Sequence, residues 1–275
     1  MTKISRREAL LAVGATTLFG ATGANAAPVK TGGAAMVEGK EAWKYAVVDP
    51  QKVADAAYEN YAVGRCMHTT FMAIVSAVAE ALETQDPLAA REIASFPFHM
   101  MRYGGSGAGG FGSLCGSLNA AMAAVGLFAS DSKTRGALLT ELGLFYERTM
   151  LPTYVPKDAD KDEGYPQTIS NSLLCHISSG KWCELAQARA DSPERAERCS
   201  RLSADVARFT VELLNRNFAA LNSSETAPVV AFKRSEPTAT CVACHDKKGD
   251  VSNIIGQMSC NECHPTQTPD HHSAK

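Results

Sequence analysis

The sequence has little of what membrane proteins and nucleic-acid-binding proteins require. Beyond the N-terminus no apolar run looks long enough to cross a bilayer, and the formal net charge at pH 7 is -2, with no excess of basic residues. A membrane span and a nucleic-acid partner are therefore not expected. Otherwise the composition is that of a globular protein, with 45% hydrophobic and 20% charged residues.

The N-terminus has the pattern of an export signal. The arginine pair in Ser5-Arg6-Arg7 is followed by an apolar run from Ala9 to about Ala21 and by the small-residue site Ala24-Asn25-Ala26. This order resembles a twin-arginine signal, although an ordinary secretory signal stays open because Ala9 replaces the frequent aromatic residue. Residues 1–26 are thus predicted to be a signal peptide, and the mature protein is expected in the periplasm.

Helix signals dominate residues 49–222, after a Gly- and Ala-rich stretch, 27–48, that predicts an extended arm or linker. Three capping residues stand directly before a proline, which is typical of helix starts: Asp49, Asp86 and Ser192. The helix expected from Arg65 to Leu82 has an apolar face of Phe71, Ile74, Val75, Val78 and Leu82. Residues 103–112 contain six glycines and cannot form a regular helix. Helical periodicity resumes from about Thr168, and the last helix is predicted to reach Leu221.

Near the C-terminus the motif C-x-x-C-H occurs twice, at residues 241–245 and 260–264. Two thiols three positions apart can attach a porphyrin covalently, and the adjacent histidine can bind its iron. The motifs predict two covalent c-type haems, held by Cys241, Cys244, Cys260 and Cys263, with His245 and His264 as proximal ligands. Fifteen residues separate the two cysteine pairs, which is also a zinc-ribbon spacing, so a zinc-ribbon binding module remains an alternative.

The segment that carries both motifs, 223–275, is polar and has few apolar residues. Such a segment cannot bury enough apolar surface to form its own core. The sequence therefore predicts an all-α protein, with a helical N-terminal domain (49–222) and an irregular dihaem segment that folds around its cofactors.

Five further cysteines remain: Cys66, Cys115, Cys175, Cys183 and Cys199. In an exported protein they could form two disulfides and leave one free thiol. However, Cys66 and Cys115 stand at predicted helix N-termini, where the helix dipole and free N–H groups stabilise thiolates. This setting favours an iron-sulfur cluster.

The order of four cysteines and a glycine-rich stretch resembles that of the redox-active proteins named for a C, GCAxxG, C, C pattern. In this chain the order is Cys66, the glycine-rich stretch that ends at Cys115 and Gly116, Cys175 and Cys183. With the two C-x-x-C-H motifs added, the chain from about Asp49 onward resembles the split-Soret cytochromes c. The resemblance implies two haems per subunit, each with two axial histidines, which stack against those of a second subunit in a homodimer. It also implies that the four cysteines bind the cluster, whereas Cys199 has no matching position and is expected to be a buried helix thiol.

The distal haem ligands are the least determined positions. The candidates are His68, His99, His176, His271 and His272. Because bis-histidine ligation leaves no open position on iron, we expect an electron-transfer protein that exchanges single electrons with periplasmic redox proteins, rather than a catalyst. The alternative is an oxidoreductase that acts on a small substrate at the cysteine site or at an open haem.

Overall fold

The computed structural model describes residues 30–31, 34–35, 42–157, 164–233, 235–246, 249, 251–254 and 256–264. His271, His272 and the predicted signal peptide lie outside them. The described helices are α1 (Pro50–Glu59), α2 (Tyr61–Leu82), α3 (Pro87–Ala94), α4 (Gly105–Ala108), α5 (Gly116–Phe128), α6 (Ser132–Arg148), α7 (Cys175–Ala186), α8 (Pro193–Arg216), α9 (Phe218–Asn222) and α10 (Glu236–His245), with a 3-10 helix at Phe98–Gly104. This predominantly helical structure confirms the all-α prediction.

Two short antiparallel strand pairs accompany the helices. Strands β1 (Lys30–Thr31) and β2 (Ala34–Ala35) pair within the predicted linker, and β3 (Met150–Leu151) pairs with β4 (Thr168–Ile169). Residues 42–48, also assigned to the linker, contact the helical core: Tyr45 is buried and its hydroxyl donates to Asn215 Oδ1 at 2.7 Å.

Helices α2 and α8 form the centre of the fold, packing against each other and against α1 and α5. The predicted apolar face of α2 is confirmed, since its five side chains from Phe71 to Leu82 are fully buried. By length and composition α2 is the one described helix apolar enough to cross a membrane, and 56% of its apolar window is buried inside the protein. Its buried side chains belong to the main hydrophobic core, to which α5, α6 and α8 also contribute.

The helix starts follow the capping signals. The carboxylates of Asp49 and Asp86 accept bonds from Gln51 N at 2.8 Å and Ala89 N at 3.2 Å, and both helices begin at the predicted proline. Residues 103–112 include the single turn α4, whose Ser106 and Gly107 are not helical, and six positions from Ser106 to Gly112 have positive φ, so no regular helix forms there, as predicted.

Two predicted helix boundaries were wrong. Periodicity from Thr168 does not form a helix, because β4 and a turn occupy 168–174, where Ser170 Oγ donates to Ser172 O at 2.8 Å and competes with helical bonding. The long helix α8 ends at Arg216 rather than near Leu221. Asn217 ends it, since its side chain accepts from Val229 N at 2.6 Å and donates to Leu213 O at 2.8 Å.

The C-terminal segment is hydrogen-bonded to the helical domain close to the point where the chain leaves that domain. The buried carboxylate of Glu141 accepts bonds from Ala231 N and Phe232 N, both at 2.8 Å. The segment is also less irregular than predicted, because α10 forms after Ser235 with Pro237 in its first turn. Proline in the first turn of a helix costs no hydrogen bond. The helix-breaking residues of this segment therefore did not prevent a helix, because Pro237 lies in the first turn.

Candidate functional site

Three of the predicted cluster cysteines stand where helices begin. Cys66 follows a break in α2 at Arg65, whose φ of 63° and ψ of -172° start a new helical segment. Cys115 is the N-cap residue of α5, and Cys175 is the first residue of α7. Each thiol therefore lies at the positive end of a helix dipole, which favours the thiolate form.

A single β-bridge joins the starts of α5 and α7. Leu114 pairs with Leu174 in antiparallel fashion, and the flanking bonds run from Cys115 N to Leu173 O at 3.0 Å and from Cys175 N to Ser113 O at 2.7 Å. On such a ladder Cys115 and Cys175 are diagonal neighbours on one face, roughly 7–8 Å apart between Cα atoms. The bridge thus brings these two thiols together.

The lack of a side chain at Gly116 allows the Cys66 thiol to lie close to the start of α5. A Cβ atom added to Gly116 would lie 2.5 Å from Cys66 Sγ, so the first residue of α5 can only be glycine while the sulfur keeps its place. A Cβ at Gly107, which has a φ of 69°, would lie 2.9 Å from Cys175 Cβ. The glycine-rich segment therefore packs closely around two of the thiols, as its composition predicted.

The remaining two cysteines lie on α7 and α8. Cys183 stands eight residues after Cys175 on the same helix, about 12 Å further along the axis. Cys199, on α8, is buried and packs with Tyr61 and Cys66. We refer to Cys66, Cys115, Cys175 and Cys199 as the thiol pocket.

Two arginines flank the sulfur of Cys199. Arg195 Nη1 lies 3.8 Å and Arg198 Nη1 lies 3.9 Å from Cys199 Sγ. Arg198 is 2% exposed; it donates to Ser178, and its Nε has no hydrogen-bond partner. Sequence analysis missed both arginines: Arg195 precedes Cys199 by four residues and shares its helix face, whereas Arg198 directly precedes Cys199.

Burial governs the protonation of the pocket. It raises the pKa of Cys66 to about 12, and the neighbouring thiols Cys115 and Cys199 act in the same direction. Burial, followed by the effect of Cys115, also raises the pKa of Cys175 to about 12. These two thiols are therefore protonated at neutral pH in the absence of metal, and binding a metal must release their protons.

The donor set suits an iron-sulfur cluster better than a single ion. All nine cysteines are free thiols, so the disulfide alternative has no support. Across the described residues, no three His, Cys, Asp or Glu side chains lie close enough together to hold one metal ion. In a cluster, bridging sulfides separate the irons, so its thiolates need not reach a common ion.

The first C-x-x-C-H motif lies at the end of α10. Cys241 and Cys244 stand three positions apart and share a helix face, whereas Val242 is buried. His245 Nδ1 lies 2.8 Å from Asn253 Oδ1. Because the amide oxygen accepts the Nδ1 proton, this bond favours the tautomer in which Nε2 carries the lone pair that iron requires. No sequence signal identified Asn253.

The second motif forms a turn that contacts α6 and α7. Both Cys263 N and His264 N donate to Cys260 O, at 3.2 and 2.9 Å. Lys181 on α7 pairs with Glu262 at 2.8 Å, and Glu147 on α6 accepts a bond from Ser259 N. The turn is thus fixed to the helical domain.

A largely apolar cavity of about 580 Å³ lies beside this turn. It extends from Met258 to Leu114 and Leu174, the residues directly before the thiols Cys115 and Cys175. Its size is within the range of small-molecule and cofactor pockets.

The candidate distal histidines differ in exposure. His68 is buried, its Nδ1 has no hydrogen-bond partner, and burial followed by the charge of Arg102 lowers its pKa. His99 and His176 are exposed. Which histidines serve as distal ligands stays a prediction.

Comparison with known proteins places this geometry in a family. Residues 69–213 match the family model described as "Putative redox-active protein (C_GCAxxG_C_C)". The split-Soret cytochrome c of Desulfovibrio desulfuricans (strain ATCC 27774) is 31% identical over 276 residues, covering 95% of this chain and 94% of that protein. The chain belongs to the split-Soret cytochrome c family. The resemblance stated from the sequence is thereby confirmed.

A solved structure of this family has the same fold. It is described as "A novel iron centre in the split-Soret cytochrome c from Desulfovibrio desulfuricans ATCC 27774". The two structures superpose with a TM-score of 0.70 at 29% identity, over 82% of this chain and 91% of the other. The matched family model includes Cys115, Cys175, Cys183 and Cys199; it begins after Cys66 and ends before both C-x-x-C-H motifs.

Proposed function

We propose that the protein is a periplasmic dihaem c-type cytochrome that carries single electrons, with an iron-sulfur cluster in its helical domain. Haem and cluster iron, when bound, supply one-electron redox chemistry. The relative named above is a cytochrome c, and its solved structure is described as having a novel iron centre. These descriptions support the proposal, which otherwise depends on the residues of this chain.

The arrangement of the first motif carries the haem part of the proposal. Cys241 is half-buried and Cys244 is exposed, and the two stand three positions apart on α10, so both thiols would hold one porphyrin from the same helix face. The bond from His245 to Asn253 holds the imidazole in the tautomer suited to an axial ligand. By the same spacing, Cys260, Cys263 and His264 would hold the second haem.

The thiol pocket carries the cluster part. Thiolate ligands select iron-sulfur clusters and other soft metal centres, and backbone N–H groups at helix starts can donate to cluster sulfides. Arg195 and Arg198 complement a negative charge at this place. The pocket residues therefore suit an anionic, sulfur-ligated group.

Expression in a bacterial host with and without the cytochrome c maturation system tests the haem proposal. With maturation, intact-mass spectrometry should show a chain cleaved near Ala27 that carries two haems. The double variant Cys241→Ala/Cys244→Ala should lose one haem and keep the other, and Cys260→Ala/Cys263→Ala should do the reverse. A mass equal to the polypeptide alone would refute the proposal.

Carbon monoxide distinguishes a carrier from the alternative oxidoreductase. If both irons have two histidine ligands, the spectrum of the reduced protein should not change on adding carbon monoxide. Changed Soret absorption would indicate an open haem and favour the oxidoreductase. A homodimer, which the family resemblance implies, should appear in light scattering of the loaded protein as twice the mass of the mature chain.

A further inference from the structure

The outer side of the glycine-rich segment (residues 103–112) carries exposed apolar side chains. Phe111 is 90% exposed, and Met100 and Tyr103, in the 3-10 helix that leads into the segment, are 50% and 54% exposed. Gly109 N donates to Tyr103 O at 2.9 Å, which holds the 3-10 helix and the turn before Phe111 together. Large apolar side chains exposed around one loop are typical of interaction surfaces.

Two arginines lie beside these side chains. Arg102 directly precedes Tyr103, and Arg65 Cδ would lie 3.7 Å from a Cβ atom added to Gly105. Both arginines are exposed, and neither forms an ion pair with a residue that the structure describes. The glycine-loop face is our name for this surface, which consists of Arg65, Met100, Arg102, Tyr103 and Phe111.

The chain around the glycine-loop face has no acidic residue. The three segments that meet here, 60–79, 93–130 and 167–183, contain no Asp or Glu, although the whole chain has 29 acidic and 27 basic residues. His176, which is exposed, adjoins the segment through a bond from its N to Gly112 O at 3.0 Å. The glycine-loop face is therefore an apolar surface with a cationic rim, in a chain whose net charge is negative.

The backbone at Arg65 indicates a role for its side chain. Its φ of 63° and ψ of -172° lie in a region that glycine adopts freely and that other residues adopt only under strain. Glycine would therefore produce the same break in α2 without strain. Because Arg65 is exposed, packing does not explain the arginine, and its positive charge is the property that distinguishes it.

The inner side of the same segment contacts the thiol pocket. The backbone of Ser106 hydrogen-bonds to the Cys66 thiol, and a Cβ atom added to Gly107 would lie 2.9 Å from Cys175 Cβ. A protein docked on the glycine-loop face is therefore separated from these thiols by little more than the backbone of the segment. Such close approach favours electron transfer, since its rate falls steeply with distance.

We propose that the glycine-loop face is the docking site for a small electron-transfer protein with carboxylates around its own redox group, which exchanges single electrons with the group held by the thiol pocket. Charge complementarity favours this partner, because an acidic rim would pair with Arg65 and Arg102 while Phe111 enters the apolar centre of the contact. This inference rests on the cluster proposed above and names the class of protein that reacts with it.

Flavodoxin, an acidic one-electron carrier, is the probe for this proposal. Its flavin hydroquinone gives one electron to the oxidised, cofactor-loaded protein and becomes the semiquinone, whose absorbance in stopped flow gives the second-order rate constant. With wild type this rate constant should fall about tenfold or more between 10 mM and 1 M salt, because the screening length falls from about 30 Å to about 3 Å.

Three variants change the glycine-loop face, and one is the control. Arg102→Glu should lower the low-salt rate constant about tenfold and Arg65→Gly severalfold, with little effect in 1 M salt, whereas Phe111→Ser should be slower at both salt concentrations. Arg65→Gly should also raise the midpoint of guanidinium chloride unfolding, so its slower reaction cannot come from a damaged fold. Lys133→Glu should react like wild type, because exposed Lys133 follows the far end of α5, a 13-residue helix about 20 Å long.

Wild-type rate constants in all three face variants, or an equal loss in Lys133→Glu, would overturn the inference. Dissociation of a dimer by Arg102→Glu in light scattering would also overturn it, because a second copy of the chain would then cover the face. Protein without non-haem iron or acid-labile sulfide would instead refute the cluster proposal. The rate constants are measured on the flavin, so they would still decide whether the carrier docks on this face.

Discussion

Replacing Arg198 with methionine should affect the metal-loaded and metal-free proteins differently. In the metal-free protein the guanidinium donates to Ser178 Oγ at 2.7 Å and to Ser178 O at 3.2 Å. Hydrogen bonds to a charged group contribute about 1.5–3 kcal/mol each. Burying the unpaired charge costs several kcal/mol, which offsets them. We therefore expect Arg198→Met to change the unfolding free energy of the metal-free protein by no more than about 1 kcal/mol.

The loaded protein should be destabilised. One negative charge at the distance of Cys199 Sγ, 3.9 Å from Arg198 Nη1, attracts the guanidinium by about 4 kcal/mol at an effective dielectric constant near 20. Losing this attraction should weaken binding of the cluster by a factor of about 1,000. It should also lower the reduction potential of the cluster, on the order of 100 mV, because the reduced cluster carries more negative charge.

Guanidinium chloride unfolding, followed by helical circular dichroism, measures both effects. Wild type, Arg198→Met and Arg198→Lys are compared with cluster bound and after treatment with a chelator, which leaves the covalent haems in place. The lysine variant keeps the charge and should retain part of the loaded stability. Equal destabilisation of the loaded and metal-free forms by Arg198→Met would show that the arginine has only a structural role.

Two further predictions concern single contacts. Asn253→Ala removes the hydrogen-bond acceptor of His245 Nδ1, which makes the imidazole a weaker donor to ferric iron. The reduction potential of that haem, measured by voltammetry, should therefore rise by up to about 60 mV. The second haem serves as an internal reference. Gly116→Ala places a Cβ 2.5 Å from Cys66 Sγ and should reduce non-haem iron without loss of haem. Gly126→Ala, with nothing within 4 Å, should keep its iron and gain about 0.5–1 kcal/mol of stability in chemical unfolding. Unchanged potential in the first variant, or equal iron in the two glycine variants, would contradict these expectations.

The sequence predicted the elements whose signals are local. Asp49 and Asp86 cap their helices through their own side chains, and the apolar face of α2 follows from periodicity alone. The boundary errors arose where distant contacts decide the structure. Asn217 ends α8 through a bond to Val229, twelve residues away, and β4 exists because it pairs with β3.

The same distinction holds for the candidate site. Helix-start positions of Cys66 and Cys115 were visible in the sequence, as was the close packing of the glycine-rich segment. The position of Cys199 was not, because it depends on the packing of α8 against α5 through Ser117 and Ser203. The hydrogen-bond partner of His245 could not be predicted either, because Asn253, eight residues later, belongs to no recognisable motif.

Helix α7 contacts two regions. Its first residue is the pocket thiol Cys175, and six residues later Lys181 pairs with Glu262 of the second C-x-x-C-H turn. Six residues of one helix move nearly as a rigid body, so a displacement at Cys175 can be transmitted to Lys181. We therefore expect the affinity of the pocket for its metal and the redox state of the neighbouring iron to be thermodynamically linked, each altering the other by the same free energy.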